Sequence, residues 1–325
     1  MIFSRIPRRR LRAALAGVVA IAGLTACGGG TSQYSTFVPQ RLLVFGDDTS
    51  ALTGAGQKYT VNGFTTTTNS DGTTTTVSDC TALPNFAQTM ANSYGFVFAE
   101  CNPKHADTLR AIMLAQGGAE VADIKVQIDG QISSGGFYDG DLATMLAGAN
   151  DIIELYQQFP VRNEDDLSNE LRSRGKALAD QINRLVAFGV KVIFVTVPDM
   201  GLTPYAVQQR AEFTDTDRAA LLTRLTAAFN EQLGVNVVLD GRYVGLVQGD
   251  LRTEAMVRTP NSFGLVNVVN GACQDVSPPP DCDTTTLIDG ASATTYMWAD
   301  DLRPGFVVGQ QLAALAIARV RGNPF

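Results

Sequence analysis

Histidine is almost absent from this chain, because the 325 residues contain only His105. A base with a pKa near neutrality therefore has a single histidine candidate. The cysteines include no Cys-x₂-Cys pair, which together with the lone histidine argues against a zinc site. After residue 26 the sequence also has no second long apolar run, charged linker or internal repeat. The absence of such boundaries predicts one large domain over residues 41–325.

Basic residues are scarce outside the first segment of the chain. Of the 25 Lys and Arg residues, five lie within residues 1–26, whereas none of the 32 Asp and Glu residues does. Residues 27–325 therefore have 20 basic and 32 acidic side chains, a formal charge of −12. A surface this acidic argues against binding to nucleic acid and against electrostatic adhesion to anionic lipid.

Residues 1–26 have the pattern of an export signal. An arginine-rich start precedes an apolar run at 13–24, which is shorter than the roughly 20 residues that a membrane-spanning helix needs. The run ends in Leu24-Thr25-Ala26-Cys27, which resembles the lipobox of bacterial lipoproteins. The resemblance implies cleavage before Cys27 and acylation of that cysteine, which would anchor the protein permanently in a membrane. An ordinary secretory signal with an incidental cysteine is the alternative.

The residues around the predicted anchor also bear on location. Gly28, rather than an aspartate, follows the cysteine, which by resemblance to lipoprotein sorting rules favours the outer membrane. Residues 27–40 are rich in Gly, Ser and Thr, a composition that predicts a flexible tether. The predicted partner is therefore the membrane, reached through lipid on Cys27. The predicted location is the bacterial cell envelope, facing the periplasm or the cell surface.

Strand-like apolar runs alternate with segments of helical periodicity after residue 40. The predicted strands are 41–46, 141–147, 190–197 and 235–239, and the predicted helices are 83–94, 124–132, 167–188, 215–233 and 305–320. Such alternation predicts an α/β fold with a parallel sheet covered by helices on both faces. Ligands of these sheets bind at the carboxyl ends of the strands.

A threonine-rich insertion interrupts this alternation near residues 59–79. Two runs of β-branched residues flank Asp71-Gly72, a combination that predicts a β-hairpin. Threonine-rich hairpins are more often solvated strands than carbohydrate-binding surfaces.

Four cysteines remain if Cys27 carries lipid. In an oxidising periplasm, pairing of nearest neighbours predicts the disulfides Cys80–Cys101 and Cys273–Cys282, each of which would close a short surface loop. Four cysteines allow three pairings in all, so the sequence leaves the other two open.

The end of the first predicted strand has an unusual motif, Phe45-Gly46-Asp47-Asp48. It resembles the Phe-Gly-Asp-Ser sequence of GDSL-type (SGNH) hydrolases, in which the serine is the nucleophile. Further segments resemble later motifs of that family in the correct order, namely 115–119, 148–151, 197–204, Phe229-Asn230, 261–265 and 296–304. The chain is therefore identified as a member of this family. Membership implies a three-layer αβα sandwich around a doubly wound, flavodoxin-like parallel sheet.

The resemblance also assigns site residues that the chain retains. Gly117, Gly118 and Asn150 stand where the family has the donors of its oxyanion hole. Asp300 stands where the family has the residue that orients the catalytic histidine. The ligand that such a site implies is a carboxylic ester, in a lipid or an acetylated sugar.

Two catalytic positions depart from the family pattern, because Asp48 replaces the serine and Arg303 replaces the histidine. Arginine stays protonated in proteins, so it cannot accept a proton from a nucleophile. His105 lies far in sequence from the last motif and is interpreted as a surface residue. In the family these two positions hydrogen-bond to each other, and here they have opposite charges. We therefore predict an Asp48–Arg303 ion pair, whose groups can bond bidentately, with Asp300 sharing the guanidinium.

These residues allow three functional interpretations. The first is a catalytically impaired or inactive GDSL-family lipoprotein, a binding or structural module of the envelope. The alternative is an active ester hydrolase, in which Asp48 activates water directly and Arg303 stabilises the oxyanion. The third is a Ca²⁺ or Mg²⁺ site of Asp47, Asp48, Asp151 and Asp300, which the positive charge of Arg303 disfavours. Neither a metal nor a cofactor is predicted.

Overall fold

A computed structural model of the protein describes residues 37–322 and Phe325. The predicted leader at 1–26, the predicted lipidation site Cys27 and most of the predicted tether lie outside these residues. Within the described ranges, no helix is both long and apolar enough to cross a membrane.

Strands and helices alternate along the described chain. The strands are β1 (Arg41–Gly46), β2 (Gly63–Thr68), β3 (Thr74–Asp79), β4 (Ala111–Met113), β5 (Asp141–Leu146), β6 (Lys191–Val195), β7 (Val244–Val247), β8 (Asn267–Gly271) and β9 (Tyr296–Trp298). The helices are α1 (Phe86–Asn92), α2 (Val121–Ser133), α3 (Ala149–Tyr156), α4 (Glu164–Ala187), α5 (Pro204–Glu212), α6 (Arg218–Asn236), α7 (Gly249–Arg258) and α8 (Phe306–Gly322). Two short 3₁₀ turns occur at Met200–Leu202 and Pro260–Phe263.

In the described part of the chain, five strands form one sheet in the order β4-β1-β5-β6-β7. Every neighbouring pair in this sheet is parallel. The chain therefore winds outward from β1 in both directions, first to β4 at one edge and then through β5 and β6 to β7 at the other. This strand order confirms the predicted doubly wound parallel sheet.

Helices cover both faces of the sheet. Side chains alternate in direction along a strand, so neighbouring residues of β1 enter different layers. Leu43 and Phe45 pack in one buried cluster with residues of α2, α3, α4 and α6. Leu42 and Val44 pack in a second cluster with residues of α1 and α8. This arrangement confirms the predicted three-layer αβα sandwich.

The predicted strand at 235–239 is wrong, because α6 continues into this segment and β7 forms later. Valines favour a strand by local propensity, yet Val238 is 63% exposed whereas Leu233 and Val237 are buried. Burial at a spacing of four residues is the pattern of a helix face and its end, not of a strand. The strand β7 has only four residues, one of which is Gly245, and so gives a weak strand signal in the sequence.

Two local features lie outside the parallel sheet. The threonine-rich segment forms an antiparallel hairpin of β2 and β3, and most of its side chains are exposed on both faces. The disulfides Cys80–Cys101 and Cys273–Cys282 are both present, which confirms the predicted pairing.

Close packing of α4 on α6 depends on Gly175, where a Cβ atom would lie 2.3 Å from the carbonyl oxygen of Phe229. We expect Gly175→Ala to lower the free energy of unfolding by about 1–3 kcal/mol, because one helix must shift. Gly130 is the matched control, since it lies in helix α2 with nothing within 4 Å of its Cβ position. Gly130→Ala should raise the free energy of unfolding by about 0.5–1 kcal/mol. Urea unfolding measures both changes, and equal effects would contradict the close packing.

Candidate functional site

A tight turn at the carboxyl end of β1 begins the site. Gly46 has a φ of +143°, and a Cβ atom there would lie 2.1 Å from the carbonyl oxygen of Leu146 in β5, so the turn requires glycine. The side chain of Gln127 accepts from the Gly46 N–H at 3.0 Å and donates to the Gly46 carbonyl at 2.9 Å. The turn places Asp47 and Asp48 at the carboxyl ends of β1 and β5, where ligands of such sheets bind.

The carboxylate of Asp48 lies at the centre of the site, and the residue is only 7% exposed. Its Oδ1 accepts a hydrogen bond from Arg303 Nε at 2.9 Å. Its Oδ2 accepts from the backbone N–H of Gly118 at 2.7 Å and from Asn150 Nδ2 at 3.0 Å. Asp48 therefore occupies the backbone and side-chain donors that the sequence resemblance assigns to an oxyanion.

The ion pair predicted between Asp48 and Arg303 is present, and a single hydrogen bond joins the two side chains. Arg303 donates through Nε to Asp48 and through Nη1 to Asp300 Oδ2, at 2.6 Å. Asp300 also accepts from the backbone N–H groups of Leu302 and Arg303, at 3.0 Å and 2.6 Å. Because Asp300 lies only three residues before Arg303, its carboxylate is close enough to accept from Nη1 of the guanidinium. One guanidinium thus bridges two carboxylates, which confirms the prediction that Asp300 shares Arg303 with Asp48.

The two glycines predicted to form the oxyanion hole have different surroundings. Gly118 supplies the N–H that Asp48 accepts. At Gly117, a Cβ atom would lie 2.1 Å from Cζ of Tyr59, so the tyrosine ring packs directly on the glycine backbone. The same ring has its centroid 5.8 Å from Cζ of Arg303, within the range of cation–π attraction. Tyr59 therefore covers the site, although no sequence motif indicated this residue.

Hydrogen bonds hold the donors of the site in position. Asn150, in the first turn of α3, also donates to the carbonyl of Ala119 at 2.9 Å. The next residue, Asp151, accepts from the Val121 N–H and from Arg174 Nη1, both at 3.0 Å. Burial raises the pKa of Asp151 to about 6 in spite of these two bonds. Together, the hydrogen bonds of Asn150 and Asp151 tie the loop that contains the Gly118 N–H to α3 and α4.

The surroundings favour the charged forms of Asp48 and Arg303. Burial alone would raise the pKa of Asp48, but the hydrogen bond from Asn150, the charge of Arg303 and the Gly118 N–H lower it below the ordinary 3.8. Burial alone would lower the pKa of Arg303, but the charges of Asp300 and Asp48 outweigh burial and raise this pKa above its ordinary value. A carboxylate with a lowered pKa is a weak base, and the guanidinium cannot accept a proton.

Asp47 has the opposite electrostatic character to its neighbour. Its Oδ1 accepts from the Thr49 N–H at 3.1 Å, whereas its Oδ2 is buried without a hydrogen-bond partner in the part of the chain that is described. Burial, together with the charge of Asp48, raises the pKa of Asp47 to about 8. Asp47 therefore holds its proton to a higher pH than an ordinary aspartate does.

Three of the four carboxylates considered as a cation site instead accept hydrogen bonds from arginines. Asp48 and Asp300 both accept from Arg303, and Asp151 accepts from Arg174. Over residues 37–322 and Phe325, no group of three or more His, Cys, Asp or Glu side chains is arranged to hold a metal ion.

Little space remains beside the Asp48 carboxylate. One cavity, of about 40 Å³, is lined by residues that include Asn150 and Met200. Another, of about 10 Å³, is lined by residues that include Tyr59 and Phe306. Pockets that bind small molecules usually enclose about 300–1,000 Å³. These cavities are large enough for a few water molecules at most and too small for an ester substrate.

Three other side chains with hydroxyl or imidazole groups are candidates from the sequence or lie near the turn. His105 lies in the loop after Cys101, where its backbone N–H donates to the carbonyl of Asn102 at 3.1 Å, and it lines neither cavity. The hydroxyl of Ser50 is fully buried, with no hydrogen-bond partner among the described residues. Thr49 lines both cavities, but no histidine does.

The raised pKa of Asp47 predicts a loss of stability as the pH rises from 3.8 to about 8. Between pH 3.8 and about 8 the folded protein keeps a proton that the unfolded chain releases, so the free energy of unfolding falls as the pH rises. We expect Asp47 to contribute a slope on the order of 1 kcal/mol per pH unit, a contribution that Asp47→Asn loses because asparagine cannot ionise. Denaturation at pH 5 to 9 measures the slope, with the exposed Asp165→Asn as control. Equal slopes in wild type and Asp47→Asn would contradict the assignment.

Solved structures resemble this chain at low sequence identity. A member of the lipolytic G-D-S-L family from Veillonella parvula aligns at 10% identity, with 85% of this chain and 96% of that chain covered and a TM-score of 0.43. An acetylxylan esterase from Geobacillus stearothermophilus aligns at 14% identity, with 88% of this chain and 96% of that chain covered and a TM-score of 0.41. No curated protein matches the chain.

A family comparison covers the part of the chain that builds most of the site. The sequence model of the GDSL-like lipase/acylhydrolases matches residues 42–242, which include Asp48, Gly118 and Asn150. This match spans more than half of the 325 residues and confirms the resemblance found in the motifs. The chain belongs to the GDSL-like lipase/acylhydrolase family.

Proposed function

We propose that this protein is a non-hydrolytic member of its family, whose former catalytic centre is occupied by its own side chain. The observation that carries the proposal is the position of the Asp48 carboxylate. It accepts from the Gly118 N–H and from Asn150 Nδ2, and also from Arg303. An ester carbonyl would need the first two of these donors, and both are already in use.

The groups required for acyl transfer are also missing from this centre. The position of the nucleophile has a carboxylate, and the position of the base has a guanidinium that stays protonated. The cavity of about 40 Å³ beside them is too small for a substrate. An ester or carbohydrate ligand would therefore have to bind elsewhere on the protein or after a rearrangement.

The alternative, in which Asp48 activates a water molecule, requires an unpaired carboxylate with a pKa nearer neutrality. Asp48 instead accepts three hydrogen bonds, and its pKa is lowered below 3.8 by Asn150, Arg303 and Gly118 against the effect of burial. An oxyanion would moreover compete with Asp48 for the same donors. These observations favour the non-hydrolytic proposal.

We further propose that the protein is a lipoprotein of the bacterial cell envelope, anchored in the outer membrane through Cys27 and serving there as a binding or structural module. The arginine-rich leader and the sequence Leu24-Thr25-Ala26-Cys27 support the anchor. The disulfides Cys80–Cys101 and Cys273–Cys282 support export, because such bonds persist in oxidising compartments.

An ester-hydrolysis assay tests the absence of catalysis. In an active enzyme, loss of one oxyanion donor lowers kcat about 100- to 1,000-fold. We expect wild type and Asn150→Ala to have the same rate as buffer on p-nitrophenyl acetate and on acetylated sugars. If the wild type hydrolyses either substrate well above Asn150→Ala, the proposal is wrong.

Restoration of the family residues tests whether the substitutions are responsible. We expect the double variant Asp48→Ser/Arg303→His to form a covalent adduct with a fluorophosphonate probe, because it regains both nucleophile and base. Asp48→Ser and Arg303→His alone are the matched controls and should remain unlabelled. Mass spectrometry measures the adduct. Labelling of the wild type, or of the single variants as strongly as the double, would contradict this assignment.

Cell fractionation tests the proposed anchor. We expect Cys27→Ser to lose metabolic incorporation of labelled palmitate and to leave the membrane fraction, because the acylated thiol is absent. Thr31→Ser, in the predicted tether, is the control and should behave as wild type. A Cys27→Ser protein that still incorporates palmitate and sediments with membranes would show that the anchor lies elsewhere.

A further inference from the structure

Segment 53–62, between the turn after β1 and the strand β2, lies across the site. Its Tyr59 packs on Gly117, where the Cβ position is 2.1 Å from the ring, and the ring centroid lies 5.8 Å from Cζ of Arg303. Tyr59 and Thr60 also line the smaller cavity, together with Asp48. A molecule as large as an ester cannot reach Asp48 from this side unless the segment moves.

One end of the segment is attached to the loop closed by the disulfide Cys273–Cys282. The backbone N–H of Asn62 donates to the carbonyl of Cys282 at 2.9 Å. The buried side chain of Asn62 donates through Nδ2 to the carbonyls of Pro280 and Cys282, at 2.7 Å and 3.0 Å. Gln57 adds a hydrogen bond to the carbonyl of Pro280 at 3.4 Å. A single disulfide-closed loop therefore provides most of the acceptors that hold this end.

The middle of the segment is attached to the other disulfide, Cys80–Cys101. Lys58 is fully buried, and its Nζ donates to the carbonyl of Cys80 at 3.2 Å. Gly56 has a φ of +79°, and a Cβ atom there would lie 2.9 Å from Cβ of Cys80, so the Gly56 backbone packs closely on the Cys80 side chain. The same Cys80 carbonyl accepts from Gln88 Nε2 of α1 at 2.8 Å. This disulfide therefore connects the segment to the body of the fold.

We propose that segment 53–62 is a lid over the Asp48–Arg303 site and that the two disulfide-closed loops latch it shut. The main acceptors for Lys58 and Asn62 are carbonyls of Cys80 and Cys282, whose positions depend on the cross-links. The lid is closed in an oxidising compartment and opens when the disulfides are reduced. It covers the site whether or not Asp48 is catalytic, so this inference stands apart from the proposed function.

Opening by a dithiol is a balanced two-electron step. Each disulfide takes two electrons and two protons from one molecule of dithiothreitol and becomes two cysteine thiols, while the dithiothreitol becomes its cyclic disulfide. After this exchange the loops lose the cross-links that fix their carbonyls. The hydrogen bonds of Asn62 and Lys58 then no longer hold Tyr59 on Gly117.

Hydrogen–deuterium exchange of the purified protein tests the lid. The reporters are peptides covering 53–62 and 115–120. The first contains the backbone amide of Asn62, and the second contains the Gly118 amide, which donates a hydrogen bond to Asp48. We expect dithiothreitol to raise the exchange rates of both peptides at least about tenfold, while a peptide from 178–187 in α4 stays unchanged. Asn62→Ala, without reductant, should accelerate the same two peptides by releasing one latch.

Asn69→Ala is the matched control, because the Asn69 side chain donates within the hairpin, to the hydroxyls of Thr73 and Thr75. It should leave both reporter peptides unchanged. Unchanged reporters in both dithiothreitol and Asn62→Ala would overturn the lid. Acceleration of 53–62 without 115–120 would show that the segment does not cover the site. Equal acceleration of all peptides on reduction would show that the disulfides hold the fold as a whole and not the lid.

Discussion

The Asp48 carboxylate, bound by the Gly118 N–H, the Asn150 amide and the Arg303 guanidinium, is the interaction on which the rest of the site depends. A buried charge is unfavourable unless it is paired and hydrogen-bonded, and buried amide donors are unfavourable without an acceptor. The carboxylate therefore provides the acceptor that the donors need, and the donors provide the hydrogen bonds and the opposite charge that the carboxylate needs. A serine hydrolase keeps such donors open for the charge that develops in its transition state. In this chain that charge is permanent, so the donors stabilise the folded protein instead.

The fold explains how this arrangement forms with Asp48 and Arg303 at its centre. Parallel strands bring the turn after β1 and the start of α3 to the same edge of the sheet, whatever side chain follows Gly46. Asp151 and Arg174 fix the loop of the backbone donor, and Asp300 fixes the arginine by accepting from its backbone and its Nη1. The surrounding hydrogen bonds thus hold the predicted oxyanion donors around the Asp48 carboxylate.

The sequence allowed the ion pair to be predicted because matched changes of charge at two partner positions, Asp48 and Arg303, are informative without coordinates. The sheet was predictable because buried strands alternate with periodic helices. The strand β7 was not, since it is short and contains Gly245. The covering segment was not either, because Tyr59 and Asn62 lie in an insertion without periodicity and contact residues far away in sequence. Such contacts depend on how the loops close, which local propensity does not specify.

A pH titration of the Asp48 side-chain carboxyl by ¹³C NMR tests the central claim most directly, with the resonance assigned by its loss in Asp48→Asn. Three donors to the carboxylate predict an apparent pKa below the ordinary 3.8, and a rise of this pKa when Arg303 is replaced by glutamine. An Asp48 pKa near or above neutrality, unchanged in Arg303→Gln, would show a carboxyl group that is free to act as a base. That result would contradict the account of a centre occupied by its own side chain.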